Sequence, residues 1–314
     1  MQSITTIDCG YIEPQFACAY LMREGDEALF VENNTAHAVP QLLAALAQQG
    51  LRPEQVRYLI ITHVHLDHAA GSSALMRACP NATLLAHPRA AKHVIDPSKL
   101  VASARLVYGE EQFEKLYGSV EPVPRERVRE MADEEELAFG SRTLRFLHTR
   151  GHANHHFCIW DSATQGVFTG DSFGLAYPKL QSKGLFIFPS TSPTDFDPQA
   201  ARASIDRISA LNPRVAYLTH FGPITEIKKA AENLKKQLDQ SEALLNEITA
   251  MKDASESERQ DHCLSRLRAI FSKLLQDAQI TETNDVTKTL DLDIRLNAQG
   301  IVYAANKILQ GKST

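Results

Sequence analysis

The period of apolar and polar positions changes several times along the chain, and each change marks an element. Residues 16–31 alternate: Phe16-Ala17-Cys18-Ala19-Tyr20-Leu21, then Ala28-Leu29-Phe30-Val31 across a Gly25-Asp26 turn. Period two around a Gly-Asp break predicts a β-hairpin. Residues 38–49 are rich in Ala, Leu and Gln at helical spacing and stop at Gly50, a natural helix end. Residues 56–61 form a short apolar run suited to a buried strand, and they lead straight into Thr62-His63. A helix is expected over about 69–78, and strands over 83–86, 143–147, 157–160, 167–169 and 214–218. Another helix is expected over 198–211.

Two stretches stand apart. Residues 89–130 mix periods, with an amphipathic run near 110–117 and prolines at 122 and 124. They read as an insertion over the sheet, and 97–130 is expected to act as a lid. Beyond residue 224 the chain is Lys-, Glu-, Leu- and Ala-rich at helical period, with helices expected over 225–252, 260–279 and 294–309. The expected organisation is a mixed α/β catalytic domain over 1–224 and a helical region over 225–314. The apolar sides of those helices can pack on the main domain, on a second copy in a homodimer, or on both.

Composition narrows the partners. The 314 residues are 43% hydrophobic and 23% charged, with a net charge of −5. An acidic balance argues against a general nucleic-acid binder. No run of 18 apolar residues predicts a membrane span. The first residues carry no basic and apolar leader pattern, so a cytoplasmic protein with a small-molecule substrate is expected. The five cysteines are scattered without a C-x-x-C pair and read as buried thiols.

The twelve histidines carry the chemistry. The central signal is Thr62-His63-Val64-His65-Leu66-Asp67-His68. In an extended segment residues two apart project to one side, so His63 and His65 can grip one metal. The chain then turns into helix, and Asp67 and His68 can swing towards a neighbouring position. Imidazole and carboxylate suit zinc, and the same donors admit iron and manganese. Gly151-His152, Gly170-Asp171 and Thr219-His220 each follow a predicted strand. Strand-end loops are the usual home of active sites in layered α/β proteins. Isolated His37, His87, His93 and His262 are expected to be structural. His148 is expected beside the loop, and His155 and His156 near the site.

The order H-x-H-x-D-H, G-H, G-D, H resembles the metallo-β-lactamase-fold superfamily over about residues 5–224. The resemblance implies a four-layer αββα sandwich with a two-metal site. It implies that His63, His65 and His152 hold the first metal, that Asp67, His68 and His220 hold the second, and that Asp171 bridges both. Two adjacent cations would lower the pKa of a shared water towards neutrality, and this metal-bound hydroxide would attack an ester, thioester or lactone. Asp67 would orient it or carry a proton to the leaving group. Glyoxalase II-like members share the ligands, but their T-P-G-H-T phrase reads Thr149-Arg150-Gly151-His152-Ala153 here. Lactonase-like members place a tyrosine three residues past the bridging Asp; here that position is Gly174, with Tyr177 three further on. Antibiotic cleavage is disfavoured. Single-iron persulfide dioxygenases and regulatory iron-binding effectors remain as alternatives of other classes. The segment 177–189 is expected either to wall the substrate through Phe186 and Phe188 or to pack inward.

Overall fold

A computed structural model describes residues 3–311. Among the described residues, twelve strands form two six-stranded sheets. The first holds β1 (Ser3–Asp8), β2 (Cys18–Glu24), β3 (Glu27–Val31), β4 (Val56–Ile60), β5 (Thr83–Ala86) and β6 (Val128–Glu130), in that order. The second runs β12 (Gly222–Ile224), β11 (Val215–Leu218), β10 (Gly166–Gly170), β9 (Phe157–Asp161), β8 (Arg142–His148) and β7 (Glu136–Phe139). Ten α-helices accompany them: α1 (Val39–Gln48), α2 (Leu66–Ala69), α3 (Ser72–Ala78), α4 (Pro88–Ile95), α5 (Ser98–Tyr108) and α6 (Glu110–Tyr117), then α7 (Pro198–Ala210), α8 (Ile227–Ala250), α9 (Glu256–Asp277) and α10 (Asn284–Leu309).

The chain divides into two compact units. The first contains residues 1–148, 155–170 and 213–225, and so holds both sheets; the second contains 149–154, 171–212 and 226–314. The last crossing, between 225 and 226, falls beside the change of composition at 224. The earlier crossings occur in loops beside strands, where composition does not change.

In the first unit the two sheets pack face to face. Tyr20, Leu29, Ile60 and Leu85 of one meet Phe146, Phe157, Ile159 and Phe168 of the other in one buried cluster. Each such aromatic contributes roughly 2–3 kcal/mol by leaving water. The other face of the first sheet is covered by α1, α3 and α4 through Leu42, Leu46, Leu75, Met76, Ala90 and Val94. Both faces are therefore apolar, which is why 58–61 reads as a continuous hydrophobic run rather than an alternating one. The hairpin pairs as expected, with Glu24 opposite Glu27 around Gly25-Asp26. Strands β3 to β6 are mutually parallel, so their C-terminal ends lie on one edge. Strands β10 and β11 are also parallel, and their register shifts between Phe168 and Gly170.

The second unit is helical. Helix α8 packs against α7, α9 and α10. Thr289, Asp293 and Asn297, one turn apart on α10, are buried and meet the loop after Asp171: Tyr177 donates to Asp293 (3.3 Å), Lys179 to Thr289 (2.8 Å), and the Thr191 N–H to Asn297 Oδ1 (2.7 Å). Gly300 is required there, because a Cβ would lie 1.7 Å from the Thr191 carbonyl oxygen.

Several sequence expectations need correction. Residues 89–130 are more regular than a mixed period suggested. They fold as α4, α5 and α6 and end in β6, a true sheet strand, because a three-residue edge strand leaves little periodic signal. The last helix begins at Asn284, not near 294: Thr283 caps it through the Val286 N–H, and its buried polar stripe disguises the apolar face. Strands β1, β7 and β12 were missed; they are short or lie on sheet edges. Phe188 is fully buried, 5.2 Å from Phe271 and 5.9 Å from Tyr177 by ring centroids, so it packs inward and is no substrate wall.

All five cysteines are free and buried, and burial pushes the Cys18, Cys79 and Cys263 thiols up to about 12, which leaves them inert at neutral pH. His87 caps α4 by accepting the Arg89 N–H (3.0 Å), with its ring 4.0 Å from that of His148. Burial, and then the neighbouring His148, push its pKa down from 6.5 to about 3. The unfolded chain therefore binds a proton here that the folded chain refuses, and this contribution to stability is lost as pH falls from 6.5 towards 3. His87→Asn keeps a capping acceptor without the titration. We expect the variant's thermal midpoint to fall less steeply than the parent's between about pH 7 and pH 4. Parallel curves would exclude His87 as a source of acid lability.

Candidate metal centre

The local fold of each ligand segment follows from where its strand ends. β4 stops at Ile60, and the chain bends at Thr62 and His63 before reaching His65, whose backbone is extended. His65 is the residue before α2, so the chain turns there and Asp67 and His68 sit in the helix's single turn. His220 follows β11 on the second sheet. In the first unit His63, His68 and His220 are buried, with His63 and His68 rings 4.0 Å apart and His63 and His65 rings 4.5 Å apart.

Hydrogen bonds set the tautomers. His220 Nδ1 lies 2.8 Å from the Phe16 carbonyl oxygen. A carbonyl only accepts, so Nδ1 carries the proton and Nε2 presents a lone pair. His68 Nδ1 faces the Glu32 carboxylate at 3.5 Å without a hydrogen bond, and the negative charge there favours a proton on Nδ1 and a lone pair on Nε2. These two nitrogens face each other at 3.4 Å, and Asp67 Oδ2 lies 3.3 Å from His220 Nε2 and 3.8 Å from His68 Nε2. Asp67, His68 and His220 thus form a group of potential ligand atoms within 4.8 Å of one another. Three acceptors converge on one point. That arrangement is repulsive by itself and fits a cation between them.

The second unit repeats the motif on a smaller scale. His152 Nδ1 approaches the Ser190 carbonyl oxygen (3.4 Å), so Nε2 is again the bare nitrogen, and it lies 3.5 Å from Asp171 Oδ2. Both side chains are buried. Gly151 has φ +113°, and a Cβ there would lie 2.2 Å from the Ala201 backbone nitrogen, so only glycine fits before His152. Gly170, before Asp171, has φ +48°; a Cβ would meet His156 Nε2 at 2.4 Å and Thr62 Oγ1 at 2.5 Å. The Gly-His and Gly-Asp dipeptides of the sequence are thus explained by space and backbone conformation together.

The other histidines sort as follows. His156 stacks on His63 (4.8 Å between rings), and His155 Nδ1 accepts the Val64 N–H (3.4 Å), so both support the ligand loop. His148 Nε2 bonds the Met131 carbonyl (3.0 Å), His37 bonds the Glu114 carbonyl (3.0 Å), and His262 pairs with Glu247 (2.6 Å). The position after β3 escaped the sequence reading. Glu32, 1% exposed, accepts the Thr62 N–H through Oε1 (3.2 Å) and faces His68 Nδ1 through Oε2 at 3.5 Å. Asn34 donates to the Asp67 carbonyl (2.7 Å), and the backbone N–H groups of Asn33 and Asn34 both reach the His68 carbonyl (3.1 Å). The available signal was three polar residues, Glu32-Asn33-Asn34, directly after the apolar run Ala28-Leu29-Phe30-Val31.

The chain belongs to the metallo-beta-lactamase superfamily, whose family model matches residues 20–220. Its two sheets, flanking helices and C-terminal helices are the mixed α/β fold of that family. The metallo-beta-lactamase fold-containing protein ST1585 of Sulfurisphaera tokodaii is 25% identical over 250 residues, 78% of this chain and 88% of that protein. Its crystal structure matches with a TM-score of 0.66 at 21% identity, covering 96% of this chain and 98% of that one. An atrochrysone carboxyl ACP thioesterase of Aspergillus fumigatus is 24% identical over 169 residues, 52% of this chain and 42% of that protein. A hydroxyacylglutathione hydrolase-like protein of Gallus gallus is 29% identical over 154 residues, 46% of this chain and 43% of that protein. The chain thus spans less than half of these last two. The family's relatives include hydrolases, and the His/Asp cluster is of a kind that binds divalent metal. No helix of the described residues is long and apolar enough to cross a membrane.

Two outcomes follow. Gly151→Ala forces a Cβ against the Ala201 backbone, and we expect a loss of about 2–4 kcal/mol, read as a lowered denaturant midpoint; an unchanged midpoint would rule out the close approach. Glu32→Gln keeps an acceptor for Thr62 but removes the carboxylate behind His68. Metal affinity in chelator competition should fall roughly 10–100-fold with the melting temperature nearly kept, whereas equal affinity would show that Glu32 does not tune His68.

Proposed function

We propose that the chain is a binuclear metal-dependent hydrolase acting on an ester, thioester or lactone, with thioesters the first class to test. In this reading His63, His65 and His152 hold one metal, Asp67, His68 and His220 hold the other, and Asp171 is shared. Zinc is the first candidate, with iron and manganese compatible with the same donors. The observation that carries the reading is the convergence of bare acceptors, His68 Nε2, His220 Nε2 and Asp67 Oδ2, at 3.3–3.8 Å. Support for a thioester comes from the two relatives named as a thioesterase and a hydroxyacylglutathione hydrolase-like protein.

A metal pair, when bound, polarises a carbonyl and makes a water nucleophilic near neutral pH. The chain's own residues do the rest. Nδ1 bonds to Phe16, Thr62 and Ser190 hold His220, His63 and His152 in orientation. Asp67 has 28% of its side chain exposed while His68 has none, so its carboxylate is the member of the trio open to water. It can accept a proton from the attacking water and pass it to the leaving group. We place the work in the cytoplasm, on a small-molecule substrate. Pairing through the C-terminal helices into a homodimer is compatible with this role.

Elemental analysis together with a panel of thioester, lactone, phosphodiester and β-lactam substrates tests the proposal. We expect about two metals per chain, with His220→Ala lowering this to about one and reducing kcat/KM roughly a hundredfold or more on an accepted thioester. One iron per chain with oxygen uptake on a persulfide would replace hydrolysis by dioxygenation. Less than about one metal per chain, with His63→Ala unchanged, would sink the metal reading altogether.

A further inference from the structure

A large groove lies wholly within the second unit, between α8, α9 and the segment 183–187. Its volume is about 600 Å³, within the range that holds a drug-sized ligand. Its rim is basic: Lys183 on the segment, Lys229 and Lys236 on α8, and Arg266 and Lys273 on α9, against one carboxylate, Asp277. In a chain of net charge −5 this is a local reversal of sign. The two helices match each other. Each contributes two cations seven residues apart, on one face and about 10 Å along the axis. Like charges gathered around one opening repel unless an anion lies among them.

Some of this charge is already balanced. Lys273 pairs with Asp277 at 2.6 Å; Lys229 pairs with Glu226 (3.0 Å) and Arg266 with Glu247 (3.3 Å), carboxylates that do not line the groove. Lys183 and Lys236 have no ion pair among the described residues. The floor has a different character. Leu185, Ile187, Ile270 and Leu274 line it, and the buried Gln237 braces it by donating to the Ile187 carbonyl at 2.8 Å. A charged rim over an apolar floor asks for a ligand with the same division.

We propose that this groove binds a phosphate-bearing amphipathic small molecule. Its phosphates lie against Lys183 and Lys236, and its less polar arm lies on the Leu185–Ile270 floor. Resting on the thioester reading above, the natural member of this class is the nucleotide-and-pantetheine handle of a coenzyme A-type thioester. Compact ammonium groups suit phosphate as point charges, and two of them at separate places suit a ligand with more than one phosphate.

The test is binding of coenzyme A, inorganic pyrophosphate and pantetheine to the full chain by titration calorimetry. Coenzyme A should bind tightest, pyrophosphate more weakly, and neutral pantetheine least. Lys183→Glu with Lys236→Glu should weaken coenzyme A roughly tenfold or more. Lys183→Gln with Lys236→Gln should weaken it less, and circular dichroism should show both variants folded. Equal affinity of the folded Glu variant and the parent would overturn the proposal, as would pantetheine or pyrophosphate binding as tightly as coenzyme A. Absence of binding by all three probes would overturn it too. Capture by phosphatidylglycerol vesicles without coenzyme A binding would assign the face to a membrane surface and overturn it. Binding and turnover fail separately: coenzyme A binding without thioester hydrolysis sinks only the catalytic reading, and hydrolysis without binding sinks only the groove.

Discussion

Acceptors that face one another need something positive between them. In this protein the requirement is built in by backbone carbonyls and one carboxylate. Phe16 takes the proton-bearing side of His220 and Ser190 that of His152, so their other nitrogens offer lone pairs, and the Glu32 carboxylate facing His68 Nδ1 favours the same tautomer there. Asp67 and Asp171 bring carboxylate oxygens to 3.3 Å and 3.5 Å from such nitrogens. Burial sharpens the demand, since no water layer dilutes the repulsion around His68 at 0% exposure. Much else in the fold serves to hold these groups where they would not rest unaided.

Parallel strands are the main device. β3, β4 and β5 end on the same edge, so the polar residues that follow them, Glu32, His63 and His87, are delivered side by side. Glu32-Asn33-Asn34 then clamps the loop that carries the histidines, through the His68 and Asp67 carbonyls. The face-to-face packing of aromatic side chains from the two sheets makes that edge rigid. The second unit uses helix packing for the same purpose. The α10 residues Thr289, Asp293 and Asn297 bond the loop that runs on from Asp171, and Gly300 lets the backbones approach.

The candidate ligand residues could be picked out because metal chemistry restricts both residue type and spacing. H-x-H-x-D-H is meaningful before any fold is known, since an extended segment places His63 and His65 on one side. Gly151 and Gly170 were legible as punctuation, although the reason for each, a neighbouring backbone or side chain within 2.5 Å, was not. Glu32 was invisible: a single carboxylate after a strand has no pattern, and its meaning comes from His68, 36 positions on in the chain. The early start of α10 was hidden for a related reason, because its buried face carries a polar stripe that pairs with a distant loop.

The sequence by itself determined the period of the long elements, the family and the candidate ligand side chains, since these depend on local spacing and donor chemistry. Tertiary structure decided which ring nitrogen faces its partners, which aromatic residues pack inward, and where cationic side chains gather around an apolar floor. Those outcomes depend on groups far apart in the chain, and only packing brings them within reach of one another.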